Sequence, residues 1–327
     1  MSEIVFVTGG TGLLGNNVIR ALIERGDRVR ALVRSTSTPD SLAGLDVELI
    51  HGDLSDRDAL QRGCDGASRV IHSAGSVAIG WKREPMFSIN VEGTRSVAQA
   101  AMAAGCRMVH VSSVDALAIA TDPNHPVSEE SPLTGEEVPC NYVLSKREAN
   151  NVISRLRSER LDAVIVYPGF MLGPNDWKPS SGRMLQAVGR QFTPVAPSGG
   201  CSVCDVRDVS AAIVAASSAS HGQEHSDYIL AGHNVDYFEL WTRMATVAGS
   251  RPPAVRMGPM VRRIVGAVGD VVGRLVRSEP ELNSAMLAMS AQLHYYSSER
   301  AQRELGYQIR DLDETLRDAW SWLASNG

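Results

Sequence analysis

Apolar residues in the first half of the chain follow two periodicities. Short β-branched runs, the first at Ile4-Val5-Phe6-Val7, are separated by segments whose apolar residues recur every three or four positions. The runs predict strands over 3–8, 28–33, 46–50, 69–73, 107–112 and 162–167. The segments between them predict helices over 12–25, 56–63, 84–104 and 141–159. Leu13, Leu14, Val18, Ile19, Leu22 and Ile23 form the apolar face of the first helix. Alternation of this kind predicts an α/β fold, a doubly wound parallel sheet with helices on both faces. Ligands of such sheets bind at the carboxyl ends of the strands. Past residue 168 the alternation loosens, and 169–200 and 236–327 read as a smaller, mainly helical part over the substrate. Residues 201–235 are expected to return to the first domain, 1–168.

The strand ends therefore hold the candidate chemistry. Gly9, Gly12 and Gly15 follow the first strand at three-residue spacing, with Thr11, Leu13 and Leu14 among them. Glycines there let the backbone turn and approach a pyrophosphate, and the helix that follows offers unpaired N–H groups and a favourable dipole. This is the physics of a dinucleotide site, and a strand before and a helix after meet its structural demand. The second strand ends in Val33-Arg34-Ser35. A carboxylate at that point would hold a ribose 2′-hydroxyl, whereas Arg34 suits a 2′-phosphate, so NADP(H) is preferred and NAD(H) remains allowed. The hydroxyl residues of 35–38 could add donors. Asp53 could accept from the adenine amino group while Leu54 packs on the ring. Ser73, Ala74 and Gly75 are small enough to let a cofactor lie close, and His72 before them reads as a packed structural histidine.

Val77 and Trp81 lie in an apolar loop, 76–83, that could face substrate. Residues 121–139 are rich in Pro, Asp, Asn and Glu without helical period; they read as a functional loop, less ordered than the sheet without substrate. After it come Tyr142 and Lys146, four apart and so on one helix face. The lysines of the chain are Lys82, Lys146 and Lys178. With seven tyrosines, about 0.06 Tyr-x-x-x-Lys pairs are expected by chance. An ammonium beside a phenol, together with a cationic oxidised nicotinamide, favours the phenolate and is expected to lower its pKa, readying it for proton transfer at a carbonyl or carbinol oxygen. Ser113, at the end of the neighbouring strand, could hold that oxygen.

These residues carry a resemblance. The glycine triplet, Asp53-Leu54, Asn90-Val-Glu-Gly-Thr94, Ser112-Ser113 and Tyr142-x-x-Ser-Lys146 together resemble the extended short-chain dehydrogenase/reductase family, which includes the NAD-dependent epimerases and dehydratases. The likeness covers nearly the whole chain and is nearest to the dihydroflavonol reductase-like and 3β-hydroxysteroid dehydrogenase-like branches. Leu-Val-Arg34-Ser and Gly173-Pro-Asn-Asp-Trp-Lys-Pro179 also resemble the hopanoid-associated epimerase-like proteins. The resemblance implies a Rossmann-type domain. It implies a catalytic set of Ser113, Tyr142 and Lys146, with Ser113 chosen over Ser112 by the apolar-x-apolar stretch before which it stands. It implies that Lys146 also holds the ribose, that Val111 belongs to the cofactor site, and that Tyr167-Pro168-Gly169-Phe170 lie beside the nicotinamide carboxamide. Val77, Trp81, Asp115, Phe170 and Met171 are the candidate substrate contacts. Tyr167 stands where the family usually has arginine, and Cys204 where many members have histidine. Ala301-Gln-Arg-Glu-Leu-Gly-Tyr307 is similar to the family's closing helix.

The implied activity is hydride transfer between a nicotinamide and a carbonyl or secondary alcohol. The alternatives are a nucleotide-sugar epimerase or dehydratase that retains NAD, and a non-catalytic cofactor sensor. A dehydratase would be expected to carry an Asp-Glu pair after the catalytic serine, where this chain has Val114-Asp115; a sensor typically loses the Tyr/Lys pair.

Composition narrows the setting. The 327 residues are 43% apolar and 21% charged with a net charge of -5, which is ordinary for a globular protein and gives no footprint for nucleic acid. The N-terminus does not read as a secretory signal, and no apolar run approaches the roughly 20 residues that span a bilayer. Five scattered cysteines fit a reducing cytosol. Cys201-x-x-Cys204 has no second pair and reads as ordinary buried cysteines, so no metal is expected. Val261–Val276, apolar with arginines and glycines, reads as a packed lid helix, with an interfacial membrane helix as its alternative. A small-molecule substrate is the expected partner, without stable membrane insertion, and a homodimer is compatible with the sequence.

Overall fold

A computed structural model describes residues 3–34, 39–77, 84–218, 227–276 and 283–326. The elements of the first half are β1 (Ile4–Thr8), α1 (Leu13–Glu24), β2 (Arg28–Val33), β3 (Val47–His51), α2 (Arg57–Cys64), β4 (Arg69–His72), α3 (Gly93–Ala104), β5 (Arg107–Val111), α4 (Asn141–Ser158) and β6 (Ala163–Pro168). Then follow β7 (Phe170–Leu172), α5 (Gly182–Arg190), β8 (Val195–Ala196), β9 (Gly200–Asp205), α6 (Val206–Ser218), β10 (Asp227–Leu230), β11 (His233–Asp236) and α7 (Tyr237–Ala248). The chain closes with β12 (Val255–Arg256), α8 (Pro259–Val276), α9 (Ser284–Met289), β13 (Leu293–His294), α10 (Glu299–Leu305) and α11 (Leu312–Asn326).

Seven parallel strands form the main sheet in the order β10-β6-β5-β4-β1-β2-β3. Connections run outward in both directions from the β1/β4 pair, so a crevice opens at that switch point. The central strands β1, β4, β5 and β6 are buried on both faces and are accordingly rich in apolar residues. Leu14, Val18, Ile19 and Leu22 of α1 pack with α6 on one face; Leu60, Val97, Ala98 and Ile153 of α2, α3 and α4 cover the other. Each such aliphatic side chain contributes about 1.5–3 kcal/mol through burial, which fixes the helices far more firmly than their intrinsic propensities.

The structure departs from the sequence expectations in several places. The segment 84–104 is not one α-helix: Ser88–Glu92 is a π-turn that leads into α3. Asn90 lies in this turn and bonds out of the helix, accepting from the Ser76 amide at 2.7 Å and donating to Ser145 Oγ at 2.9 Å. The return to the main sheet begins at α6 and β10, whereas β9 belongs to a second, four-stranded sheet with β7, β11 and β13. The helical part therefore carries strands of its own.

Residues 121–139 are strapped down. Val127 donates to Tyr295 O at 2.9 Å and accepts from Ser297 N at 2.8 Å, while Glu129 accepts from Ile229 N at 2.8 Å. Those bonds hold 127–129 against β10 and the segment after β13, within a loop that forms no helix, as its composition predicts. Finally, α8 is not a packed lid helix: Met260, Ile264, Val268 and Leu275 are 57–79% exposed. Its small face is the one turned inward, since a Cβ on Gly266 would lie 3.0 Å from Ser284 at the start of α9.

Candidate functional site

The β1–α1 turn forms as its glycines require. Gly9 has φ +78°, a left-handed conformation, and a Cβ there would lie 2.6 Å from the Ala74 nitrogen. A Cβ on Gly15 would lie 2.3 Å from Gly9 O, so this glycine seats α1 against the turn. Gly12 stands at the N-cap, where no side chain satisfies the amides and no acid occupies the first turn of α1. That arrangement fits a phosphate: open N–H groups, a positive dipole end, and no competing carboxylate. Thr11, Leu13 and Leu14 surround it, the two leucines buried under the helix.

Around this cradle the other strand ends gather. Arg34 follows β2 directly and is exposed; its charge helps to lower the Asp53 carboxyl, behind hydrogen bonds from the Ser55 hydroxyl and amide. Asp53 thus spends one oxygen on Ser55, at 2.6 and 2.8 Å, and Leu54 packs over Gly93. Residues 35–38, with the three hydroxyls, lie outside the described residues. After β4, Ser73 donates to Thr8 O at 2.8 Å and Ala74 lies against Gly9. A Cβ on Gly75 would come within 3.4 Å of Lys146 Nζ, so only glycine leaves that space open. His72 is structural: its ring nitrogens meet Thr8 Oγ1 at 2.7 Å and Thr94 Oγ1 at 3.0 Å, and burial, with the Lys146 charge, drives its pKa down to about 3.

Ser113, Tyr142 and Lys146 converge at the carboxyl end of β5. Ser113 caps the single turn Val114–Ala116, donates to Asp115 Oδ2 at 3.1 Å and hydrogen bonds the Tyr142 phenol. Tyr142 and Lys146 are both buried on α4, and Lys146 Nζ donates to Val111 O at 3.1 Å. Burial brings the Lys146 ammonium down to about 8 against the pull of Asp115. The protein's own groups do not lower the Tyr142 pKa. Burial, then the negative charge of Asp115, push its pKa up, and the Ser113 hydrogen bond opposes them only in part. Helix pitch puts Lys146 on the same side of α4 as the phenol, whereas the Asp115 carboxylate reaches the phenol from the end of β5.

Asp115 is the electrostatic centre of this pocket. Burial raises Cys201, Tyr237 and Tyr296 and the Asp115 charge adds to it, while Asp115 receives His294 Nδ1 at 3.3 Å. His294, on β13, has a buried Nε2 that bonds no other protein group. Sequence reasoning missed it because 250–297 read as helical; the aromatic run Leu293-His294-Tyr295-Tyr296 was the available strand signal.

Other candidates are dispersed. Tyr167 directs its hydroxyl to Asp227 Oδ2 at 3.4 Å and packs in the core, while Pro168 ends β6 and Gly169 donates to Leu230 O at 3.1 Å. Neighbours on a strand face opposite ways. Phe170 accordingly packs toward α5 and α7, and Met171 toward the α1–α6 side, so β7 does not bring both to one pocket. Val77 is exposed beside the Asn90-anchored segment, and Trp81 lies outside the described residues. Cys201 and Cys204 likewise sit on opposite faces of β9, in different clusters, which separates the two sulfurs.

Comparison with known proteins agrees with this geometry. Residues 5–231 match the NAD dependent epimerase/dehydratase family. The chain is 35% identical to gox2253, whose crystal structure superposes with a TM-score of 0.86 over 100% of this chain and 99% of that one. It is 32% identical to a Synechocystis sp. protein with the provisional name dihydroflavonol 4-reductase, over 100% of this chain and 96% of that protein. It is 31% identical to sterol demethylase protein B of Methylococcus capsulatus, over 98% of each.

Proposed function

Because the chain belongs to the NAD dependent epimerase/dehydratase family, among the extended short-chain dehydrogenases/reductases, we propose that it is an NADP(H)-dependent reductase that interconverts a carbonyl group and a secondary alcohol. The observation that carries this reading is the buried Ser113–Tyr142–Lys146 cluster at the end of β5, with Tyr142 kept in its acid form.

Gly9, Gly12 and the first turn of α1 would hold the pyrophosphate, Arg34 the 2′-phosphate, and Lys146 the ribose hydroxyls. The chemistry supplied by a bound nicotinamide is hydride donation to, or abstraction from, the substrate carbon. In reduction the substrate oxygen gains negative charge. Ser113 holds that oxygen, and Tyr142 gives it a proton. A phenol with a raised pKa is fully protonated near neutral pH, so it is loaded for this direction. The phenolate left behind is stabilised by the Lys146 ammonium, which is present below about pH 8. The sterol in the name of one relative supports a lipophilic substrate.

Consumption of NADPH against a panel of aliphatic, aromatic and sterol ketones tests the reading. Net oxidation that depends on the ketone supports it; a retained-cofactor epimerase would show none.

The cofactor preference rests on Arg34. The segment Val33-Arg34-Ser35-Thr36-Ser37-Thr38 carries no carboxylate to repel a 2′-phosphate, and a guanidinium can meet that phosphate with paired bonds. A charge-assisted bond contributes about 1.5–3 kcal/mol, so NADPH is expected to bind roughly ten- to a hundredfold tighter than NADH. Arg34→Asp should reverse the order, which fluorescence titration of both cofactors reads directly. Tighter NADH binding by the wild type would bring the epimerase reading forward.

A further inference from the structure

The proposed reaction does not use the exposed face of α8. Met260, Ile264, Val268, Val271 and Leu275 recur at three- and four-residue spacing and are 54–79% exposed. They form one aliphatic stripe about 23 Å long at 1.5 Å per residue. Val261 and Val272, at 50% and 46%, widen it. The helix is thus turned the opposite way from an ordinary surface helix. Glycine faces the protein, with Gly266 against Ser284, and bulky aliphatics face outward. A contiguous apolar face on this scale marks a docking surface.

Charge says what it docks on. Arg262 and Arg263 stand in the first turns of α8, and Arg263 is exposed. The one acid of the helix, Asp270, is turned back to the protein, where it accepts from the Ser284 amide at 3.1 Å. The face therefore offers aliphatic carbon flanked by arginine, within a chain whose net charge is -5. That local inversion of sign matches an anionic bilayer surface: acyl chains receive the stripe and headgroups receive the guanidinium groups. No helix among the described residues is long and apolar enough to cross a membrane, so the contact is interfacial.

We propose that α8 docks the protein on anionic membrane surfaces. The docking has a consequence for the reaction, which rests on the reductase reading. α9, against which α8 packs, carries Met289 and Ala285 into the cluster around Tyr142, Cys140 and Met86. The docked face would bring that cluster beside the bilayer, a source of lipid-soluble carbonyl compounds.

Flotation of the full chain with vesicles tests the docking without any turnover. The protein is expected to float with vesicles of phosphatidylcholine and phosphatidylglycerol and only weakly with phosphatidylcholine alone. The double variant Ile264→Gln/Leu275→Gln should bind at least about tenfold more weakly, because both side chains are exposed and lose only their burial in lipid. Its thermal melting and NADPH affinity should match the wild type, which separates a docking failure from a folding one. Arg262→Glu/Arg263→Glu should abolish the preference for the anionic vesicles. Absence of flotation, or equal flotation of the glutamine variant, would overturn the proposal. So would equal binding to both lipid compositions, or a stable dimer in ultracentrifugation that the glutamine variant converts to monomer, since the face would then belong to a second copy. If docking holds while no ketone is reduced, the reductase reading fails and the surface assignment stands.

Discussion

Tyr142→Phe is expected to lower turnover by roughly 100- to 10,000-fold while leaving cofactor affinity nearly unchanged. The phenol ring is buried in the cluster of Met86, Cys140, Val143 and Met289, and phenylalanine preserves that packing. What is lost is the hydroxyl that hydrogen bonds Ser113 and would give its proton to the substrate oxygen. Hydride transfer without that proton must leave an alkoxide in a buried site that already holds the Asp115 carboxylate, where a further negative charge is costly. Steady-state kinetics with NADPH, beside a binding titration, reads both halves. A variant that keeps more than about a tenth of the wild-type rate would remove Tyr142 from the mechanism.

Lys146→Met is expected to weaken both turnover and cofactor affinity, since one ammonium serves the phenolate and the ribose. Its pH signature is more specific. Burial brings Lys146 down to about 8, whereas the unfolded chain holds the same proton to about 10.4. Between those values the unfolded state binds more protons, so the lysine makes stability rise with pH across the window, and below about pH 8 its buried charge is a standing cost. The wild type should therefore gain on the methionine variant, by about 3 kcal/mol, as pH rises through that window. Reduction by the wild type should fall off above about pH 8 as the ammonium is lost, and the variant should lack this limb. Denaturant titrations at several pH values, with pH–rate profiles, check the two together. Parallel stability curves for the two proteins would show that Lys146 is not a buried, depressed lysine.

Local chemistry was legible in the chain, and long-range chemistry was not. The β1–α1 turn could be read because its cause lies within a dozen residues: an apolar run, glycines where a Cβ would strike Ala74 or Gly9, and an apolar helix. That Tyr142 and Lys146 share one side of α4 could be read because helix pitch dictates it. The sign of the Tyr142 shift could not. It depends on Asp115 and on burial, both set by how β5 and α4 pack. His294 was hidden for the same reason, since β13 reaches Asp115 only through a sheet assembled from residues 170–294. For α8 the periodicity revealed an apolar face, but not that glycines would take the inward side and leave that face outside.

The most direct test of the account follows a label. NADPH deuterated at nicotinamide C4 is mixed with the enzyme and a ketone that it consumes, and the alcohol is analysed for deuterium. The account predicts one deuterium on the carbinol carbon of each product molecule, in one stereochemical sense, with the cofactor released oxidised, and almost none formed by Tyr142→Phe. Product that carries no deuterium while the cofactor stays bound and unconsumed would contradict it.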